Sequence, residues 1–342
     1  MNEKELESEY VTKIGTIDDF RRNLSEQVNR LIVEANVPLG INLESRVKDW
    51  NSILNKIERK DLNLQTIHEL TDLVGLRIIL LFKRDLDVIS SVIKNNFDVI
   101  FEEDKLDSLD DNKFGYQSRH YIIKIPKSWL KVPSFMSCKD YRAEIQVRTL
   151  SQHIWAATSH KLQYKHEQSV PIQLKRALNR ASAMLEVVDL EFERILIERE
   201  NYVDSLNEKS DEDLAKDELL NVDNLKFIAR KYLPPENAKS VEPFDGLLGE
   251  LLKNGISKVE QLMKIIKVTE PHWRAAESER LRKVMSDSAQ SWWETDKGED
   301  NTEARIKRGV FLSHVGLIRI AAEEYYSKEG KEYKRIIVNP KN

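Results

Sequence analysis

One cysteine, Cys138, stands among 342 residues. That excludes an internal disulfide framework and a cysteine metal cage. Cys138 reads as a small apolar residue rather than a nucleophile. Long apolar runs are missing too, and none approaches the roughly 20 residues of a membrane span. The N-terminus, Met-Asn-Glu-Lys-Glu-Leu-Glu, is acidic and lacks the apolar core of a signal peptide. A cytoplasmic chain with no membrane partner is therefore expected. Net charge is only -4, so any basic site must be local rather than a property of the whole surface. There is no Gly-x-x-x-x-Gly-Lys-Ser/Thr loop and no Gly-x-Gly-x-x-Gly, which removes the two commonest glycine-based nucleotide cradles. His153, His160 and His166 have no zinc-type spacing with acids or cysteines. No repeat of fixed period and no low-complexity tract is present.

What is there is a soluble composition, 33% charged and 8% aromatic, long enough for two domains. Residues 17 to 33 predict an amphipathic helix, with Ile17, Phe20, Leu24, Val28, Leu31 and Ile32 at helical spacing. Residues 41 to 47 predict a short strand and 49 to 60 a helix. Leu73 to Phe82 is a nearly continuous apolar run and predicts a strand buried on both faces. A helix from Asp85, strands at 97–101, 118–125 and 141–147, and a helix capped by Thr149 follow. Pro171 opens a long helix to about Tyr202, with Leu174, Leu178, Leu185, Val188, Phe192 and Ile195 facing inward. Strands with helices interposed, then a run of helices, predict an α+β mixed sheet flanked by helices over residues 1–203. Residues 204–220 are acidic and poor in apolar side chains, which predicts a linker. Residues 221–342 predict an all-helical accessory domain. Within it, Ser257 and Glu260 suggest a capping box, and a helix after Pro271 reaches the Trp292-Trp293 pair.

Several polar groups sit at the ends of apolar runs, where a sheet hands residues to a site. Asp72 precedes one buried strand, and Glu144 lies inside another. Taken alone, Asp72 reads first as a solvated turn or cap, and Glu144 can be read as part of an exposed sheet face. Together, two carboxylates can hold Mg²⁺ between phosphate oxygens. Arg46, Lys48, Lys56, Arg77 and Arg148 flank these acids. Arg77 emerges from an apolar run, and a buried guanidinium needs a partner. Gly115-Tyr116 leads into a strand, where a tyrosine ring offers a stacking face. Two acids, several bases and one loop aromatic are what metal-assisted phosphoryl-type transfer needs.

The ordered set is Arg46-x-Lys48 with Ser52-Ile53 and Lys56; Asp72 with Gly75-x-Arg77; Gly115-Tyr-Gln-Ser-x-His120; Glu144-Ile-Gln-Val-Arg-Thr149; and Trp155 with His160-Lys161 and Tyr164-Lys165. It resembles the synthetase domain of RelA/SpoT-type alarmone synthetases over about residues 17 to 200. Five linked motifs in the right order are far more specific than any single one. The resemblance implies a nucleotidyltransferase-like sheet that moves the β,γ-pyrophosphate of ATP to the 3′-hydroxyl of GDP or GTP, giving ppGpp or pppGpp and AMP. It implies that Arg46 and Arg77 sandwich the adenine and that Lys48, Ser52 and Lys56 hold the ATP phosphates. Asp72 and Glu144 would bind Mg²⁺, with Glu144 also activating the 3′-hydroxyl. Tyr116 would stack on the acceptor base, and His120, Gln146 and Arg148 would line the acceptor side.

Three departures stand out. Asp111-Asn112-Lys113-Phe114 replaces the frequent Pro-Lys-x-Asn before Gly-Tyr, which leaves acceptor identity open. Ser159 precedes the histidine where many small members have Glu. Residues 204 to 342 have no matching counterpart. The His-Asp pair of the family's hydrolase domain is absent, so alarmone breakdown is not expected. Two alternatives stay open: pyrophosphorylation of the tRNA 3′ end, as toxic members perform, and an inactive nucleotide sensor. A basic face of Lys161, Lys165, Lys175, Arg176 and Arg180 would favour tRNA. The resemblance leaves a homo-oligomer open, as in several small relatives. The C-terminal helical domain, which has no counterpart there, reads as a regulator or docking module for a partner that the sequence does not identify.

Overall fold

The computed structural model describes residues 3–104, 118–162, 171–216, 218–286 and 302–335. The chain divides into two compact units between Ile197 and Glu198. The first opens with α1 (Glu3–Glu34), whose buried stripe of Leu6, Ile17, Phe20, Leu24, Val28 and Ile32 follows the helical period. The helix thus begins well before residue 17, where the sequence reading placed its start. β1 (Leu39–Val47), α2 (Trp50–Lys60), β2 (Val74–Leu80), α3 (Asp85–Asn96), β3 (Asp98–Asp104), β4 (Arg119–Lys124), β5 (Ala143–Thr149), α4 (Leu150–Leu162) and α5 (Ile172–Glu208) follow.

Among the described residues the strands form one five-stranded sheet in the order β1-β2-β5-β4-β3. β2 and β5 run parallel, and the other neighbours are antiparallel. This is the mixed sheet flanked by helices that the sequence predicts. Period-2 alternation gives it two different faces. Leu76, Ile78, Tyr121, Ile123, Ile145 and Val147 share one core with Ile17, Phe20 and Leu24 of α1 and Leu86, Ile89 and Ile93 of α3. The Tyr121 hydroxyl donates to Ser90 Oγ of α3 at 2.7 Å, which satisfies a polar tip inside that core. The opposite face carries the polar side chains described below. β2 is therefore not apolar on both faces: Gly75 and Arg77 interrupt its buried pattern.

Local chemistry fixes where the helices near this second face begin. Asp49 caps α2, its carboxylate accepting from the Ser52 backbone N–H at 2.9 Å. Asp61 ends α2 in the left-handed region at φ 48. Thr149 caps α4 as expected: its hydroxyl oxygen accepts from Gln152 N–H at 3.2 Å, and the Gln152 side chain accepts from Thr149 N–H at 2.8 Å. In α5 the expected inward stripe is only partly buried. Leu178 is covered, whereas Leu174, Val188, Phe192 and Ile195 are exposed.

The second unit is helical among the described residues: the end of α5, then α6 (Asp211–Ala215), α7 (Val222–Tyr232), α8 (Phe244–Lys253), α9 (Val259–Val268), α10 (Glu270–Ser286), α11 (Thr302–Lys307) and α12 (His314–Lys328). Its own core contains Leu225, Ile228, Leu247, Leu251, Leu262, Ile266, Trp273 and Ile318. The expected linker at 204–220 is corrected. α5 runs on to Glu208, α6 covers 211–215, and Leu206 and Leu214 are 0% exposed in the second core. Burial of these leucines, each worth roughly 1.5–3 kcal/mol, acts together with polar contacts that tie Glu218 to Tyr202 and Lys209, and Asp211 to Tyr232 and Lys267. The α9 cap differs as well. Gln261 Oε1, not Glu260, accepts from the N–H groups of Ser257 (2.9 Å) and Lys258 (3.0 Å). The Trp292-Trp293 pair lies outside the described residues.

Candidate active site

Strand register builds the polar face. Glu44 pairs with Arg77, Arg77 with Gln146, and Gln146 with His120, so these four stand in one row across β1, β2, β5 and β4. The neighbouring row holds Arg46, Gly75, Glu144 and Ile122. Gly75 raises no side chain between Arg46 and Glu144, and this leaves a floor. A cleft of about 430 Å³ opens there, lined by Glu44, Arg46, Asp72, Arg77, Glu144 and Gln146 among others. That volume lies within the usual range for small-molecule sites.

Asp72 reaches the cleft from the turn before β2. Lys48 Nζ donates to its Oδ2 at 2.6 Å, and Lys56 Nζ donates to its Oδ1 at 2.7 Å. All three side chains are mostly buried. Burial by itself would raise the Asp72 carboxyl. The two lysine bonds and their charges outweigh burial and hold it below the usual carboxylate range. Lys48 is fixed through its backbone: its N–H donates to Leu73 O at 2.9 Å, extending the β1–β2 ladder by one bond.

Glu144 is treated similarly by different partners. Its Oε1 lies 2.8 Å from His120 Nδ1, and its Oε2 accepts from Gln146 Nε2 at 3.0 Å. Ser118 Oγ lies 2.6 Å from the other ring nitrogen of His120. Burial raises the Glu144 carboxyl, but the hydrogen bond and charge of His120 and the Gln146 amide bring it below its ordinary value. The charge on Asp72 pushes Glu144 back upward, so the two carboxylates feel each other across the cleft. Their partners thus favour the ionised form of both carboxylates although each is largely desolvated. Two carboxylates beside open space fit Mg²⁺, which takes one or two protein carboxylates and completes its shell with phosphate oxygens and water.

The expected site residues therefore separate into groups. Arg46, Asp72, Arg77, Glu144 and Gln146 share the cleft; Lys48 and Lys56 join through Asp72, and His120 joins through Glu144. Arg77 Nη1 lies 3.5 Å from Glu44 Oε2. Glu44 was missed from sequence, although it sits two residues before Arg46 and so shares its face of β1. Ser52 faces its own helix end instead, its hydroxyl donating to Asp49 Oδ2 at 2.7 Å. Arg148 is 7% exposed and lies beyond the cleft residues, opposite Ile79; its Nε has no hydrogen-bond partner. Burial and the nearby charge of Arg77 both lower the Arg148 pKa. Tyr116 and the Tyr164-Lys165 pair lie outside the described residues, as does the His160 side chain. The basic face proposed for tRNA falls mostly there too.

Sequence comparison decides the family. A profile of the region found in RelA and SpoT proteins matches residues 45–169. GTP pyrophosphokinase YwaC of Bacillus subtilis (strain 168) is 32% identical over 185 residues, 53% of this chain and 83% of that protein. The chain belongs to the RelA/SpoT family. GTP pyrophosphokinase YjbM of the same organism is 32% identical over 152 residues, covering 44% of this chain and 69% of YjbM. Among solved structures, small alarmone synthetase 1 from Bacillus subtilis aligns with a TM-score of 0.46 and 27% identity, covering 58% of this chain and 99% of that one. The RelA/SpoT match includes Lys48, Asp72, Arg77, Glu144 and Arg148, and leaves the whole second unit outside it. No helix among the described residues is long and apolar enough to cross a membrane.

Proposed function

We propose that this chain transfers the β,γ-pyrophosphate of ATP to the 3′-hydroxyl of GDP or GTP. The observation that carries this reading is the order of charge along one cleft. Two arginines, Arg46 and Arg77, stand on neighbouring strands; beside them lie Asp72 with two lysines and Glu144 with a histidine. Homology to two GTP pyrophosphokinases supports the reaction class.

In this reading the guanidinium planes of Arg46 and Arg77 take the adenine between them. Lys48 and Lys56 exchange Asp72 for the ATP phosphates, which offer them more negative charge than one carboxylate. The exchange frees Asp72, so that Asp72 and Glu144 can hold Mg²⁺. Mg²⁺ held there would supply positive charge against the transferring phosphates. Glu144 accepts the proton of the acceptor 3′-hydroxyl. The new O–P bond forms at the β-phosphorus, the bond to the α-phosphate oxygen breaks, and AMP leaves with that oxygen. His120 and Gln146 orient the Glu144 carboxylate, and Tyr116 stacks on the acceptor base.

The test is direct. Purified protein, Mg²⁺ and γ-labelled ATP are incubated separately with GDP, GTP and bulk tRNA. Label in a guanine nucleotide carrying two added phosphates is the expected result. Label in tRNA alone would replace the acceptor, and label in none of them would overturn the assignment.

A further inference from the structure

The first turns of α1 lie outside the family match, which begins at residue 45. They nevertheless hold both segments that deliver the Lys48–Asp72 pair. Tyr10 donates from its hydroxyl to Lys48 O at 3.1 Å, and its ring packs on Trp50 with centroids 5.7 Å apart. Trp50 opens α2, the helix that carries Lys56. One residue earlier on α1, Glu9 binds the other segment. Its Oε1 accepts from Thr66 Oγ1 at 2.6 Å and its Oε2 from the Ile67 N–H at 3.1 Å, at the start of the turn that leads to Asp72. Lys13, one helical turn on, donates to Glu9 at 2.8 Å and to His68 Nε2 at 2.8 Å. Adjacent residues of one rigid helix thus grip two loops that are separate in sequence. Their ends meet at the 2.6 Å contact between Lys48 and Asp72.

We propose that Glu9 and Tyr10 are positioning residues, which set the distance between the lysine-bearing strand end and the Asp72 turn and so the geometry in which ATP is held. The physical reason is leverage. The Lys48 N–H makes the last bond of the β1–β2 ladder, to Leu73 O. Past that bond, Trp50 at the start of α2 and the Thr66–Ile67 turn before Asp72 are each held by a contact to α1. Glu9 is well placed for the work, because its carboxylate is satisfied by a backbone N–H, a hydroxyl and an ammonium at once, so its direction is fixed. Neither residue lines the cleft. The inference rests on the proposed pyrophosphate transfer, in which Lys48 and Asp72 face the ATP side.

The experiment compares the full-length protein with Glu9→Ala, Tyr10→Phe and the double variant. Tyr10→Phe keeps the ring on Trp50 and removes only the bond to Lys48 O. Glu9→Gln is the rescue variant, since its amide oxygen still accepts from Thr66 or Ile67. Glu26→Gln, in an exposed ion pair with Arg30 on the same helix, is the control. The measurements are kcat, KM for ATP, KM for the acceptor, and amide exchange of peptides spanning 47–56 and 64–73. Partners that orient catalytic ligands typically carry about 10- to 100-fold in affinity or activity. The double variant should therefore raise KM for ATP or lower kcat by about 10-fold or more. KM for the acceptor should stay within a few-fold of wild type, exchange should quicken in both peptides, and Glu9→Gln should recover much of the loss. Unchanged kinetics would overturn the proposal, whether or not exchange quickens. Equal losses on the ATP and acceptor sides would reduce the contacts to general stability and overturn it too. A wild type inert with every acceptor overturns the transfer reading itself; an active wild type with indifferent variants overturns this inference alone.

Discussion

His120 Nδ1 lies 2.8 Å from Glu144 Oε1 across antiparallel strands, although the register pairs His120 with Gln146, two residues along the same face from Glu144. An ionised carboxylate only accepts, so Nδ1 carries the shared proton. The bond fixes one carboxylate oxygen, Gln146 fixes the other, and the plane of Glu144 is set.

Glu144→Gln keeps the size and both side-chain contacts in altered form but removes the negative charge. It should lower kcat for pyrophosphate transfer by about 100-fold or more, the scale of a single electrostatic contributor. Circular dichroism and the melting temperature should stay close to wild type. His120→Ala should lose less, because it frees the carboxylate to turn without discharging it. Activity of Glu144→Gln within a few-fold of wild type would remove the carboxylate from the reaction.

His68 supplies a pH dependence. Burial, and then the charge of Lys13, hold its pKa below the usual histidine value of 6.5. The folded state therefore resists taking up a proton that the unfolded chain accepts. Between the depressed folded value and about 6.5 the unfolded state binds more protons, so stability rises with pH across that window. The contribution is present above the unfolded value and is lost as pH falls toward the folded one. Wild type should melt at a lower temperature at about pH 5.5 than at about pH 7.5, and His68→Gln, which cannot protonate, should shrink that difference. Equal pH-dependent shifts in both proteins would place the effect elsewhere.

Tyr116 is argued from the family motif. Base–aromatic stacking is worth about 1–3 kcal/mol per base. Tyr116→Ala should weaken acceptor use by that amount, read as kcat/KM for GDP, while KM for ATP stays put. Tyr116→Phe keeps the ring face and should be nearly silent. A Phe variant as damaged as Ala would show that the hydroxyl, not the ring, is used.

Much of this was legible in the residues, and the exceptions have physical reasons. The strands at β2 and β5 announce themselves through aliphatic runs, and Asp72 and Glu144 are visible as acids attached to such runs. That they share a cleft is not visible, because it depends on parallel register setting Gly75 opposite Glu144. The lysine pair on Asp72 was legible only as nearby positive charge. The early start of α1 was readable in principle: Leu6, Tyr10 and Ile17 continue the later stripe, but the polar residues between them dilute it. The segment at 204–220 misled for a similar reason. Its composition is that of a solvated linker, and only burial distinguishes Leu206 and Leu214 from incidental apolar residues.

The boundary near Ile197 gives the last prediction. The sheet core and the helical core share no residue, and each contains many fully buried aliphatic side chains. A unit with its own core can fold alone. Tyr202 packs on the second core and bonds Glu218 and Asn221, so a cut after Tyr202 would tear that core rather than spare it. Residues 1–197 and 198–342, expressed separately, should each be folded and melt cooperatively, whereas a piece beginning at residue 203 should be destabilised relative to one beginning at 198. We expect 1–197 to retain pyrophosphate transfer, since every residue assigned to the reaction lies within it. If the second unit regulates, the basal rate or the oligomeric state of 1–197 should differ from full-length protein in the same assay and on the same sizing column. An insoluble 1–197 fragment would instead make the helical unit a structural support of the first, and equal rates and sizes would leave it without a regulatory part in the basal reaction.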